Sequence, residues 1–96
     1  MERKDSLSRY VSEQLRMLKQ TDENRHLTIP QMAAAANVST PAMERYLSGA
    51  RVWPIGAFVA VCDIMRADVG EVVNDARIRR GDVVVDGVAV AVLTLS

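Results

Sequence analysis

The chain has little of what a catalyst, a secreted protein or a metal protein carries. Its one cysteine, Cys62, cannot form an internal disulfide, which fits a reducing compartment. Its one histidine, His26, lies in a polar stretch with no cysteine or carboxylate at ligand spacing, so no metal and no cofactor is expected. No apolar run approaches the ~20 residues that span a bilayer, and the charged amino terminus is unlike a signal peptide. The expected location is the cytoplasm, with no membrane partner. No nucleophile is accompanied by a base, no glycine-rich loop follows a strand, and the carboxylates are dispersed, so no enzyme and no small-molecule ligand is expected. Repeats and low-complexity segments are absent. Neither sign of charge dominates, with 12 Lys and Arg against 12 Asp and Glu; attraction for a charged partner must then come from where the charges lie.

What is present suits one small domain. Ninety-six residues enclose a single core, and the hydrophobic fraction of 49% owes its surplus to the last fifteen residues or so. Leu7, Tyr10, Val11, Leu15 and Leu18 form one apolar stripe, while Arg3, Lys4, Arg9, Glu13, Arg16 and Lys19 lie largely elsewhere, which predicts a first helix from about Asp5 to Gln20. Thr21 to His26 is apolar-free and reads as a loop. A fourth helix is expected from Pro54 to about Arg66, and a short fifth one, capped by Asp68 and carrying Val69, Val72 and Val73, ends near Arg77. Met17, Met32, Met43 and Met65 fall at apolar helical positions, which predicts core packing, and Cys62 reads as a small core residue.

The most informative stretch is Leu27 to Gly49, LTIPQMAAAANVSTPAMERYLSG. Ala33 stands where a side chain larger than methyl would push a neighbouring helix away, and Asn37 tolerates the left-handed backbone that a short turn demands. Val38 drops between the helices. Ser39 or Thr40 reads as a cap and Pro41 as the first helical residue. Met43, Tyr46 and Leu47 form an inner face; Thr40, Ala42, Glu44, Arg45 and Ser48 face outward; Gly49 closes the helix. Two short helices crossing around a tight turn over about residues 28–49 make a helix-turn-helix.

These residues resemble the λ-repressor-like, or Xre-type, helix-turn-helix family, which includes phage repressors, Cro proteins and bacterial regulators. Thr28, Met32-Ala33, Asn37-Val38-Ser39, Met43, Tyr46 and Gly49 keep the family's register, and Phe58, Val61, Cys62, Met65, Ala67 and Val72 match apolar positions of its fourth and fifth helices. Asn37 stands for the usual turn glycine, Trp53 for the usual loop proline with Pro54 one residue later, and Ile29 for a glutamine that often reaches a phosphate. The resemblance implies a mainly α, five-helix DNA-binding domain over residues 1–78 and a role as a double-stranded DNA-binding regulator, a homodimeric repressor of phage repressor or Cro type on a palindromic operator.

On that reading Thr40, Pro41, Ala42, Glu44 and Arg45 are the base-reading candidates, with Arg45 bidentate to a guanine and the Pro41 ring against a thymine methyl. Thr28, Gln31, Ser48 and Arg51 are the phosphate-contacting candidates. Between Asn24 and Pro54 three arginines, Arg25, Arg45 and Arg51, stand against one acid, Glu44. A plainer role is open to each singled-out residue: Arg45 as a solvated partner of Glu44 or Asp63, Trp53 as a loop anchor instead of a DNA contact, and Arg77, Arg79 and Arg80 as a solvated junction instead of a clamp.

From Arg79 the character changes. Asp86-Gly87 is a hairpin signal between two valine-rich runs, Val83 to Val85 and Val88 to Leu95. Residues 79–96 are therefore expected to form a C-terminal β-hairpin extension, apolar on both faces, whose open edge needs a partner. Val83, Val85, Val88, Val90, Val92, Leu93 and Leu95 are the dimerisation candidates. The alternative is an antitoxin or regulatory interaction protein whose apolar C-terminal segment binds a different protein; zero net charge and Pro41 favour that alternative, and the intact turn and arginine placement favour the regulator.

Overall fold

A computed structural model describes residues 6–82. Within them the chain forms five helices: α1 (Leu7–Lys19), α2 (Ile29–Ala36), α3 (Thr40–Ser48), α4 (Ile55–Met65) and α5 (Val69–Arg80). The expected hairpin, with all seven dimerisation candidates, lies outside the described residues, as do Arg3, Lys4 and Asp5.

Local chemistry accounts for most helix ends. Ser6 caps α1 by accepting from Ser8 N at 3.1 Å, and Arg16 and Lys19 in its last turn oppose the negative end of the helix dipole. Thr28 and Gln31 close a reciprocal capping box at α2: Thr28 Oγ1 accepts from Gln31 N at 3.2 Å, and Gln31 Oε1 accepts from Thr28 N at 2.8 Å. At α3 the cap is Ser39, which accepts from Ala42 N at 3.2 Å, so Thr40 is the first helical residue and Pro41 the second, one place later than expected. Asp68 caps α5 by accepting from Glu71 N at 2.9 Å.

Asn37 has φ 58° and ψ 44°, the left-handed conformation expected for the turn, and its N–H and that of Val38 donate to Ala34 O and Ala33 O. Asn37→Val is expected to destabilise the fold by about 1–2 kcal/mol, because a β-branched side chain is strained there. An unchanged melting temperature would contradict this account of the turn. Arg66 takes the same conformation, φ 57°, where α4 stops.

The core is shared by all five helices. Leu15, Met32, Met43, Val61 and Cys62 are fully enclosed, and Val72 and Ala76 bring α5 onto the same cluster. Ala33 is buried between α2 and its neighbours, whereas Val38 is half-buried against the core's edge. Helix α5 runs back along α1: Arg79 near its end reaches Gln14 at 2.8 Å, while Val72 near its start lines the same groove as Leu18.

Two further expectations change. Helix α5 continues to Arg80, past the expected end near Arg77 and past the Arg79 boundary, because the stop signal is Gly81 at φ 94° and Asp82 behind it. Asp82 N donates to Arg77 O at 2.8 Å, and its carboxylate pairs with Arg80 and, at 3.7 Å, with Arg77. Met17 is not core. It lies on the outer edge of the α1 stripe, 53% exposed, with its sulfur accepting from Arg79 Nη2 at 3.1 Å. No strand occurs among the described residues, and no helix among them is long and apolar enough to cross a membrane.

Candidate nucleic-acid interface

Helix α3 divides cleanly. Met43, Tyr46 and Leu47 are buried, while Pro41, Glu44, Arg45 and Ser48, spaced as one helical stripe, are exposed. Thr40 is half-exposed at its start. Ala42 does not stand free as expected: it is half-buried and packs on the core, since it follows Pro41 round the helix toward Met43.

Arg45 and Arg51 are exposed, and among the described residues neither guanidinium has an ion pair or a hydrogen bond. The alternative pairing of Arg45 with Glu44 or Asp63 is thus not made. Arg51 is placed by the backbone. The carbonyl of Arg45 accepts from Ala50 N at 3.0 Å, Arg51 N at 3.2 Å and Ser48 Oγ at 3.1 Å, folding the segment after Gly49 onto the end of α3. Gly49 has φ 85°, and glycine serves that turn; a Cβ there would make only ordinary contact with Arg9 of α1, at 3.7 Å.

The phosphate candidates divide by what their groups already do. The Ser48 hydroxyl proton is committed to Arg45 O. In the first turn of α2, Gln31 N is taken by Thr28, Pro30 has no N–H, and the Gln31 carbonyl is spent on Thr28 N, which leaves Ile29 N–H and the Gln31 Nε2 group as donors. Arg25 pairs with Asp22 at 2.5 Å, but both are largely exposed, at 68% and 91%, so the pair is weak and screened. Arg45 and Arg51 remain as the interface's uncommitted positive charge. The distal basic cluster is otherwise engaged: Arg77 and Arg80 on Asp82, Arg79 on Glu13 and Gln14. That is a junction, as the plainer role had it.

Spacing gave no sign of the polar cluster behind α3. Ser12 is fully buried. Its hydroxyl shares one proton between Ser8 O, 3.1 Å away, and the close Tyr46 O, and it accepts from Trp53 Nε1 at 2.9 Å. Trp53 N donates to Ser8 Oγ at 2.8 Å, and the indole packs between Tyr46 and Phe58 with centroids 5.3 and 6.3 Å away. Trp53 is thus the loop anchor, turned inward. Arg16, off the apolar stripe and exposed as expected, also donates through Nη1 to Leu47 O and so caps the end of α3. The two serines, four residues apart on α1, carry no mark in the sequence of their partners on α3 and beside Trp53. Asn24 is a second buried polar residue, its amide donating to Leu18 O at 3.2 Å.

Cys62 has no exposed surface, and burial, helped by the charges of Asp63 and Asp68, pushes its thiol up to about 11. It stays protonated near neutral pH, where the thiolate would be the nucleophile. No group of three or more histidine, cysteine, aspartate or glutamate side chains among the described residues could hold a metal ion. No family model, no curated protein and no solved structure matches this chain.

Proposed function

We propose that this chain is a λ-repressor-like, sequence-specific double-stranded DNA-binding regulator of the cytoplasm, working as a homodimeric repressor that occludes a promoter. The observation that carries the reading is the pair of uncommitted, exposed arginines, Arg45 on the outer stripe of α3 and Arg51 on the segment bonded to its end. A scaffold needing only the fold has no use for them there. Helix α3 enters the major groove amino end first: Thr40 and Pro41 approach base edges early, and Arg45 follows one turn later, where its fork matches guanine O6 and N7. Glu44 accepts from a cytosine amino group beside it. Arg51, with Ile29 N–H and Gln31 Nε2 at the start of α2, meets phosphates and fixes the docking. Zero net charge does not oppose this, because the arginines are local and a second copy doubles them.

Selection of bound sequences from random duplex DNA tests the class, and an enriched, roughly palindromic motif is the expected result. The two arginines then separate reading from holding. Arg45→Ala should remove about 1–3 kcal/mol at one base position and relax preference there, whereas Arg51→Ala should weaken all sequences alike and lower the salt slope by about one. Equal losses on specific and random DNA for both variants would refute Arg45 as a reader.

One observation favours the second reading, a protein-binding antitoxin or regulatory partner. Val52 and Ile55, on either side of Trp53 and Pro54, are 67% and 78% exposed, an apolar surface beside the arginines that suits a protein better than a polyanion. Selection that enriches no motif would move that reading ahead.

A further inference from the structure

Resting on the DNA-binding reading, we infer that Ser12 is a positioning residue for the phosphate contact made by Arg51. The segment bearing Arg51 is pinned on both sides, with Ala50 N also reaching Ser48 Oγ at 3.3 Å. On one side the Arg45 carbonyl holds Ala50 N and Arg51 N; on the other, two residues later, Trp53 is held by α1, its backbone N–H on Ser8 Oγ and its indole N–H on Ser12 Oγ. Ser12 joins these two sides, because the same hydroxyl that receives the indole N–H also donates toward Tyr46 O in the last turn of α3. One buried oxygen thereby sets where the segment stands relative to the helix that carries Arg45.

The physical consequence is specific. A buried indole N–H left without an acceptor is costly, so in Ser12→Ala the ring must turn to find a partner, and Arg51 two residues away moves with it. Arg45 is held by the hydrogen bonds of α3 itself and by the packing of the buried Met43 and Leu47. Loss of Ser12 should therefore act on phosphate holding and spare base reading.

The test measures affinity against salt concentration on the selected duplex and on random duplex for wild type, Ser12→Ala, Arg51→Ala and the double variant, all at a temperature where each is folded. Ser12→Ala is expected to lower the salt slope by about one, as Arg51→Ala does, to keep the ratio of specific to random binding within about twofold, and to weaken binding no further in the Arg51→Ala background, the non-additivity expected of residues acting through one contact. Emission from Trp53, the only tryptophan, should shift to the red in Ser12→Ala as the ring moves. Trp53→Phe, which keeps an aromatic ring but removes the indole N–H together with its five-membered ring, should reproduce the slope change should Ser12→Ala prove poorly folded. Val72→Ala, a core truncation on α5 away from this cluster, should lower the melting temperature and leave the slope alone. An unchanged slope in Ser12→Ala and Trp53→Phe, or full additivity with Arg51→Ala, overturns the assignment of Ser12 while the DNA reading stands. A wild type that holds no duplex overturns both.

Discussion

Replacing Trp53 by alanine is expected to remove about 3–5 kcal/mol of folding stability, the range for truncating a buried large aromatic. The indole touches α1, α3 and α4 together: it donates to Ser12, lies 5.3 Å from the Tyr46 ring and 6.3 Å from the Phe58 ring. Truncation opens a cavity between three helices and removes two ring contacts at once. Small domains hold a total of roughly 5–15 kcal/mol, so the variant should be close to half unfolded well below the wild-type transition. Thermal and urea melts followed by circular dichroism measure it. A loss under about 1 kcal/mol would mean that the ring is dispensable to the core and free to serve the surface, which would revive Trp53 as a DNA or partner contact.

The legibility of this fold in its sequence varies with how local each signal is. The turn and the bounds of α3 were readable almost to the residue, because Asn37, Ser39 with Pro41, and Gly49 each act within one turn of themselves. The end of α5 was not, since Gly81 and Asp82 looked like the approach to a strand; only the pairing of Asp82 back onto Arg77 and Arg80 makes them a helix stop. The outward stripe of α3 followed from helical spacing, but whether Arg45 was free or paired with Asp63 depended on tertiary distance. Ser12 was hidden for the same reason: its partners are 34 and 41 residues away in the chain, and a serine on an apolar stripe carries no mark of them. Gln31 shows the converse, where a residue chosen as a phosphate contact has half its amide committed to a helix cap.

The largest effect on function is expected from ending the chain after Asp82. Keeping Gly81 and Asp82 preserves the stop of α5 and the carboxylate that pairs with Arg77 and Arg80, so the five helices retain their own core and the product should be a soluble helical monomer. What it loses is residues 83–96, the valine-rich run around Asp86-Gly87; the hairpin expected there from the sequence would have two apolar faces and an open edge in need of a second strand pair. On the proposed reading, a subunit with two uncommitted interface arginines would bind a half-site weakly. Two linked copies on half-sites about one helical turn, roughly 34 Å, apart gain the second contact intramolecularly, which is worth about 100-fold or more. The truncated chain should lose that factor on the selected duplex while its circular dichroism stays helical, and Val90→Lys in the full chain should do the same more gently by placing charge in the paired face. Sedimentation together with binding titration decides the matter. A truncated protein that still dimerises would place the interface among the helices, with exposed Val52 and Ile55 the first residues to change; a full-length protein that stays monomeric until a different protein is added would make residues 83–96 a heterologous docking strand and the regulatory-partner reading the better one.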